Sequence, residues 1–190
     1  MKKAAKKILE ILNNNHTKVE EREDFKGNYY SYITDTIYLS TNNDIKNENK
    51  KHNITKETNS LVVMCHEAVH SIQNKALHIL NSIFSNISVI LGLVCIVLFV
   101  VKRTNLVLSI ITLVSLIMSI ITRLVLEVEA VNKSVILAKE IVLQDVVNNV
   151  KLEELTNAKE YINKNKIIAL LNMVIGKIVL FLIVLLIMII

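Results

Sequence analysis

Proline and tryptophan are absent from this 190-residue chain, cysteine occurs twice, glycine three times, and aromatic residues make up only 5%. Without proline, no turn or helix end can be set by a locked φ. Cys65 and Cys95 cannot build a disulfide framework, the more so because Cys95 lies inside an apolar run, and a reducing compartment is compatible with both. A cleavable leader is not expected either. Met1-Lys2-Lys3-Ala4-Ala5-Lys6-Lys7 supplies a basic start, but Ile8 to Leu12 is short and carries Glu10 where an uninterrupted apolar core is required, so residues 1–14 read as an amphipathic helix.

Charge is missing from long stretches. No Asp, Glu, Lys or Arg occurs between Lys75 and Lys102, and from Phe84 to Val101 the apolar run, at ~1.5 Å per helical residue, crosses most of a ~30 Å hydrocarbon core. Asn105–Thr122 is a second uncharged run. Ile167–Ile190 is a third, broken only by Asn172, Gly176 and Lys177. Three transmembrane helices are therefore expected in a multi-pass protein of the cell membrane, with the lipid bilayer as a partner. The net charge of +5 is spread over polar segments that also hold nearly all the acids, which marks solvated faces beside a membrane and no nucleic-acid partner. If the first two spans form a hairpin, residues 1–83 and 123–166 share one side with 19 of the 22 Lys and Arg, against Lys102 and Arg103 in the turn. The excess of positive charge then puts the larger polar part on the cytoplasmic face. Nothing in the sequence sets an oligomeric state.

What is present in the polar half is more specific. His66-Glu67-Ala68-Val69-His70 places two imidazoles four residues apart with a carboxylate beside the first. On a helix such residues share a face, so both rings can reach one Zn2+ ion while Glu67 holds a water beside it, the pattern of zinc proteases. Asn59 or Ser60 is a plausible cap for a helix running through this motif to about His78. Upstream, Thr17–Asp24 and Asn28–Ser40 read as extended: Ile33, Ile37 and Leu39 alternate with Tyr30, Tyr32, Thr34, Thr36 and Tyr38, and Thr34-Asp35 is a turn, predicting a small antiparallel β-hairpin. Residues 41–59, rich in Asn, Lys and Glu, read as a surface loop.

A catalytic zinc takes three protein ligands and keeps a fourth position open. His78, eight residues past His70 on the expected helix, lies ~12 Å along it and out of reach. His16 and His52 sit in polar surroundings. Glu127, a few residues beyond the second span, is delivered by the hairpin to the same face of the bilayer, whereas Glu129 is the rival. The two stand ~200° apart around a helix, so only one can face the ion. Arg123 and Lys133 flank them. Cys65 reads as a core residue, and Lys177, deep in the last span, is expected to face other helices with Asn172 or a backbone carbonyl as partner. Tyr29, Tyr30, Tyr32 and Tyr38 are candidate oxyanion donors, and the strand ending at Ser40 is a candidate edge for an extended substrate.

Cys65-His66-Glu67-Ala68-Val69-His70-Ser71-Ile72-Gln73, followed after two spans by Leu126-Glu127-Val128-Glu129-Ala130, resembles the YugP-like family of membrane-bound neutral zinc metallopeptidases. Ile37-Tyr38-Leu39-Ser40 and the Ala158-Lys159 helix extend the likeness over nearly the whole chain. The resemblance implies His66, His70 and Glu127 as metal ligands and Glu67 as the catalytic residue, in the arrangement of Glu-zincins. It also implies cleavage of peptide bonds in membrane or membrane-proximal proteins. Four departures stand out. The family's span ahead of the first helix is missing, so the chain starts late or is a shortened member; Val69 replaces a Gly and is expected to narrow the space beside the zinc; Val131 replaces a polar residue that would steady a ligating His; and Tyr29-Tyr30-Ser31-Tyr32 replaces a His-Tyr-Asp-Pro turn. They motivate the alternative of a catalytically inactive zincin-like membrane scaffold.

The fold class expected is thus a mainly α membrane protein, with a zincin-like helical domain, a small antiparallel hairpin and three spans. Its parts are 1–83, carrying the HExxH helix; 84–122, a transmembrane hairpin; 123–166, carrying the third ligand; and 167–190, the last span.

Overall fold

A computed structural model of the chain describes residues 2–23, 27–40, 55–144, 150 and 152–189. The order of elements is α1 (Lys2–Ile11), β1 (Lys18–Arg22), β2 (Tyr29–Ser31), β3 (Thr36–Ser40), α2 (Lys56–Ile72), α3 (Lys75–Val100), α4 (Leu106–Leu143) and α5 (Leu152–Ile189). The protein is mainly helical with one small mixed sheet. Two compact units divide it, residues 1–73 with 128–166 and residues 74–127 with 167–190, the division passing through the unbroken helix α4.

In the first unit, α1 buries Ala5, Ile8 and Leu9 on one stripe and leaves Lys2, Lys3, Lys6 and Lys7 exposed. Burying Ile8 and Leu9 stabilises the unit by about 1.5–3 kcal/mol each. Asn13, in the left-handed region at φ 54°, ends the helix, and the Asn14 N–H closes on the Leu9 carbonyl at 2.8 Å. The Asn14 side chain then donates to Ser71 Oγ at 2.8 Å, tying the end of α1 to the end of α2.

The sheet has the order β1-β3-β2. β2 and β3 form the expected antiparallel hairpin, Tyr30 opposite Ile37, but β1 pairs parallel to β3, Val19 opposite Ile37. β3 is consequently central and buried along its whole length. The two-sided alternation expected for residues 28–40 fails for that reason: both faces of β3 are covered, while Ile33 sits in the turn and is 79% exposed. Asp35 adopts φ 49°, which Asp tolerates better than most residues, and its Oδ1 accepts from the hydroxyls of Thr17 at 2.7 Å and Tyr30 at 3.0 Å. Burial first, then the bond to Asp35, raises the Tyr30 hydroxyl well above the usual phenol range. The core under the sheet gathers Val19, Ile37 and Leu39 with Leu61, Cys65, Ala68 and Val69 of α2 and Ala138 and Ile141 of α4.

Helix α2 begins earlier than expected. Thr55, rather than Asn59 or Ser60, caps it by accepting from the Thr58 N–H at 3.3 Å, and the hydroxyls of Thr55 and Thr58 both donate to Glu154 at 2.6 Å. It also stops earlier. Gln73 is extended at ψ 160°, and Asn74 caps a new helix by accepting from the Ala76 N–H at 2.9 Å, so His78 belongs to α3 and not to the HExxH helix. The polar loop expected over 41–59 lies outside the described residues up to 54, as does His52.

In the second unit, α3 and the first part of α4 make a hairpin turned at Lys102, φ 56°. The polarity of this unit is inverted. Ser88, Ser109, Thr112, Ser119 and Thr122 are buried, whereas Ile90, Leu93, Val97, Val107, Ile110 and Val114 are exposed. Cys95 Sγ lies 3.5 Å from Thr112 Oγ1, and Thr122 Oγ1 donates to Asn81 at 3.3 Å. Small and hydroxylated residues between helices with large apolar ones outside suit a lipid solvent, where no hydrophobic force drives helices together. Gly92 takes Leu180 of α5 against its backbone, where a Cβ would stand 2.9 Å from both methyls. Lys177 of α5 faces another helix as expected, but its partner is the Ser119 hydroxyl.

Two helices, α3 and α4, are long and apolar enough to cross a membrane, and only 17% and 33% of their most apolar stretches are buried. A soluble core helix would be covered. The third span expected over Ile167–Ile190 is not matched: among the described residues its apolar part, Val174–Ile189, falls short of the ~20 residues a crossing needs.

Candidate metal centre

The HExxH residues lie in the last two turns of α2, away from the capped end, with Cys65, Ala68 and Val69 anchoring the opposite face in the core. Residues four apart on this helix come together as required: His66 Nε2 and His70 Nε2 are 3.1 Å apart, the rings edge to face with centroids 4.7 Å apart. Two donors on a tetrahedral zinc, each at ~2.0–2.1 Å, would stand ~3.3 Å apart, so the imidazoles already hold nearly the spacing that a shared ion imposes. Glu127 joins them. Ligand atoms of His66, His70 and Glu127 all lie within 4.8 Å of one another, and among the described residues they form the group able to hold a metal ion. The donor set, two neutral nitrogens and one carboxylate, suits a borderline divalent cation such as zinc.

Within the first unit, a chain of hydrogen bonds sets the chemistry of His70. Lys133 Nζ donates to Glu129 Oε1 at 2.6 Å, Gln73 Nε2 donates to Glu129 Oε2 at 3.0 Å, and Gln73 Oε1 meets His70 Nδ1 at 2.7 Å. A carboxylate only accepts, so Glu129 turns the amide's NH2 toward itself and its carbonyl toward His70. The carbonyl in turn requires a proton on Nδ1, which leaves the Nε2 lone pair aimed at the metal position. Glu129, the second-choice ligand, is not in the group that could hold an ion. It reaches His70 through Gln73, whereas Glu127, which is in the group, is 1% exposed and has its Oε1 paired with Arg123 at 2.6 Å.

Glu67 is outside the ligand group. Its Oε2 accepts the Tyr30 backbone N–H at 2.7 Å, so the outward edge of β2 and the carboxylate hold each other. A backbone donor leaves no mark in residue type, and nothing in the sequence could have disclosed this contact. Gln73 was legible as a motif residue but not as the bridge from Glu129 to His70. The bond at His70 Nδ1 is made by the residue that caps the end of α2. Val69 is 1% exposed and packs in the core.

Other candidates fall away on geometry. Burial raises the Cys65 thiol far above its usual range, so it remains a neutral core group. His16 is exposed and sits 3.5 Å from Asp35. The Tyr38 hydroxyl meets Thr34 at 3.3 Å, its ring stacked on Tyr29 at 4.9 Å with Arg22 over the other face. Tyr30 is committed to Asp35. The strand ending at Ser40 is no docking edge either, because β1 and β2 occupy both its sides.

No family model, no curated protein and no solved structure matches the chain.

Proposed function

We propose that the protein is a membrane-embedded zinc metallopeptidase that hydrolyses peptide bonds of membrane or membrane-proximal proteins. The observation that carries this reading is the convergence of His66, His70 and Glu127, with Glu67 beside them but outside the ligand set. His66, His70 and Glu127 would hold the ion, and three protein ligands are the number that a catalytic zinc takes. When bound there, zinc supplies a Lewis acid for the scissile carbonyl and a water acidic enough to act near neutral pH. The residues do the rest. Gln73 keeps His70 in the ligating tautomer, and Glu67 takes a proton from the attacking water and delivers it to the departing amine. The Tyr30 N–H holds one oxygen of that carboxylate.

The likeness of Cys65–Gln73 and Leu126–Ala130 to the YugP-like neutral zinc metallopeptidases supports the same reading. So does the inverted polarity of the second unit, which argues for a bilayer around α3 and the first half of α4. With 19 of 22 basic residues outside the hairpin turn and the last apolar run, the catalytic side is the cytoplasmic one. The test is zinc stoichiometry on the purified full chain beside His66→Ala, His70→Ala and Glu127→Ala, followed by cleavage of a membrane-protein substrate. One zinc in the wild type and none in the three variants is expected. Zinc binding without any cleavage would favour the inactive scaffold.

A further inference from the structure

Glu127 and Glu129 each carry a cation one turn away, yet the two pairs differ in what they cover. Lys133 and Glu129 are half exposed, at 53% and 38% of their side-chain surface, a pair that water would satisfy anyway. Glu127 is 2% exposed while Arg123 remains 41% exposed, so the guanidinium reaches in from the surface to a carboxylate sealed from solvent. A buried carboxylate needs such a partner to remain ionised. More follows from which atom is held. Arg123 claims Oε1 at 2.6 Å. A carboxylate that gave both oxygens to the ion would, with His66 and His70, complete four donors and close the position that water needs.

Resting on the metal reading above, we infer that Arg123 is a positioning residue that confines Glu127 to one-oxygen ligation and so keeps the fourth coordination position open. Arginine suits this role because its charge persists at any working pH and its planar fork fixes the direction of the bond. The arrangement complements that on the other ligand. Gln73 fixes which nitrogen of His70 faces the ion, and Arg123 fixes how many oxygens of Glu127 do.

The experiment uses the full chain in detergent, with zinc affinity from competition against a chromophoric chelator and access to the fourth position from the shift that azide causes in the visible spectrum of the cobalt(II) form at saturation. Azide should shift the wild-type spectrum, because it replaces solvent at an open position. Arg123→Gln should bind zinc about ten- to a hundredfold more weakly, the range for loss of a group behind a ligand, and at saturating cobalt its spectrum should no longer respond to azide, the second Glu127 oxygen having taken that position. Arg123→Lys, which keeps a cation able to donate to Oε1, should recover the azide shift. A purely structural Arg123 would lower stability but leave the azide shift unchanged in Arg123→Gln, and that result overturns the inference while sparing the metal site. If Arg123→Gln does not fold, the wild type decides alone, since a cobalt spectrum that azide leaves unchanged is incompatible with an open fourth position. Wild type that takes up neither zinc nor cobalt overturns the metal reading and this inference together.

Discussion

At the level of single residues, Glu67 and Gln73 divide two duties that the HExxH pattern alone does not separate. Glu67 lies beside a ligand but outside the metal group, held by the Tyr30 N–H. Glu67→Gln should therefore retain one zinc while cleavage falls by about 10²–10⁴-fold, the usual share of a general base. Turnover and metal content measured on one preparation check this, and cleavage at the wild-type rate would remove Glu67 from the mechanism. Gln73 acts through His70 alone. Gln73→Leu removes the acceptor for Nδ1–H and leaves Glu129 with Lys133, so zinc affinity should drop about ten- to a hundredfold while α2, whose core face is untouched, keeps its stability. Chelator competition beside thermal unfolding separates the two effects. The pairing of His66 with His70 was legible because an i, i+4 spacing leaves a helix little choice. The bridge from Glu129 through Gln73 was not, because it joins residues 56 positions apart through atoms that no periodicity marks.

At the level of elements, the legible and the hidden divide along local and non-local lines. Helix α1, the hairpin of β2 and β3 and the two long apolar helices follow from patterns within a dozen or two residues. The parallel pairing of β1 with β3 does not, since it requires the chain to lay β2 at the far edge before β3 returns to the middle. The break between α2 and α3 was hidden for a different reason. Neither Gly nor Pro marks it; an extended Gln73 engaged by its neighbours and the Asn74 cap suffice. Helix contacts in the second unit lead to a prediction of their own. Gly92→Ile places a branched side chain where even a Cβ stands 2.9 Å from the Leu180 methyls, and overpacking of this kind costs about 1–3 kcal/mol. Leu180→Ala in the same chain should restore part of the loss, because the clash is with the end of a side chain rather than with backbone. A double-mutant cycle in thermal unfolding checks it; additive costs would show that α3 and α5 do not meet there.

For the whole molecule, the proposed function depends on sidedness. A hairpin of α3 and α4 returns the chain to the side it left, which the metal reading requires, because His66 and His70 precede the first crossing and Glu127 follows the second. The inverted polarity of the second unit suits that hairpin to lipid, and the proposed cytoplasmic placement of the polar side rests on the distribution of Lys and Arg. A cysteine placed at Thr104 in the hairpin turn, in a chain with Cys65 and Cys95 replaced by Ala, should react with an impermeant maleimide from outside intact cells. A cysteine at Lys3 should react only after the membrane is opened. Labelling of both positions from the same side would show that the apolar helices do not form a crossing hairpin. Glu127 would then reach the imidazoles by some route other than two passages of the bilayer, and the inward polar seam of Ser109, Thr112 and Ser119 would need a solvent other than lipid to explain it.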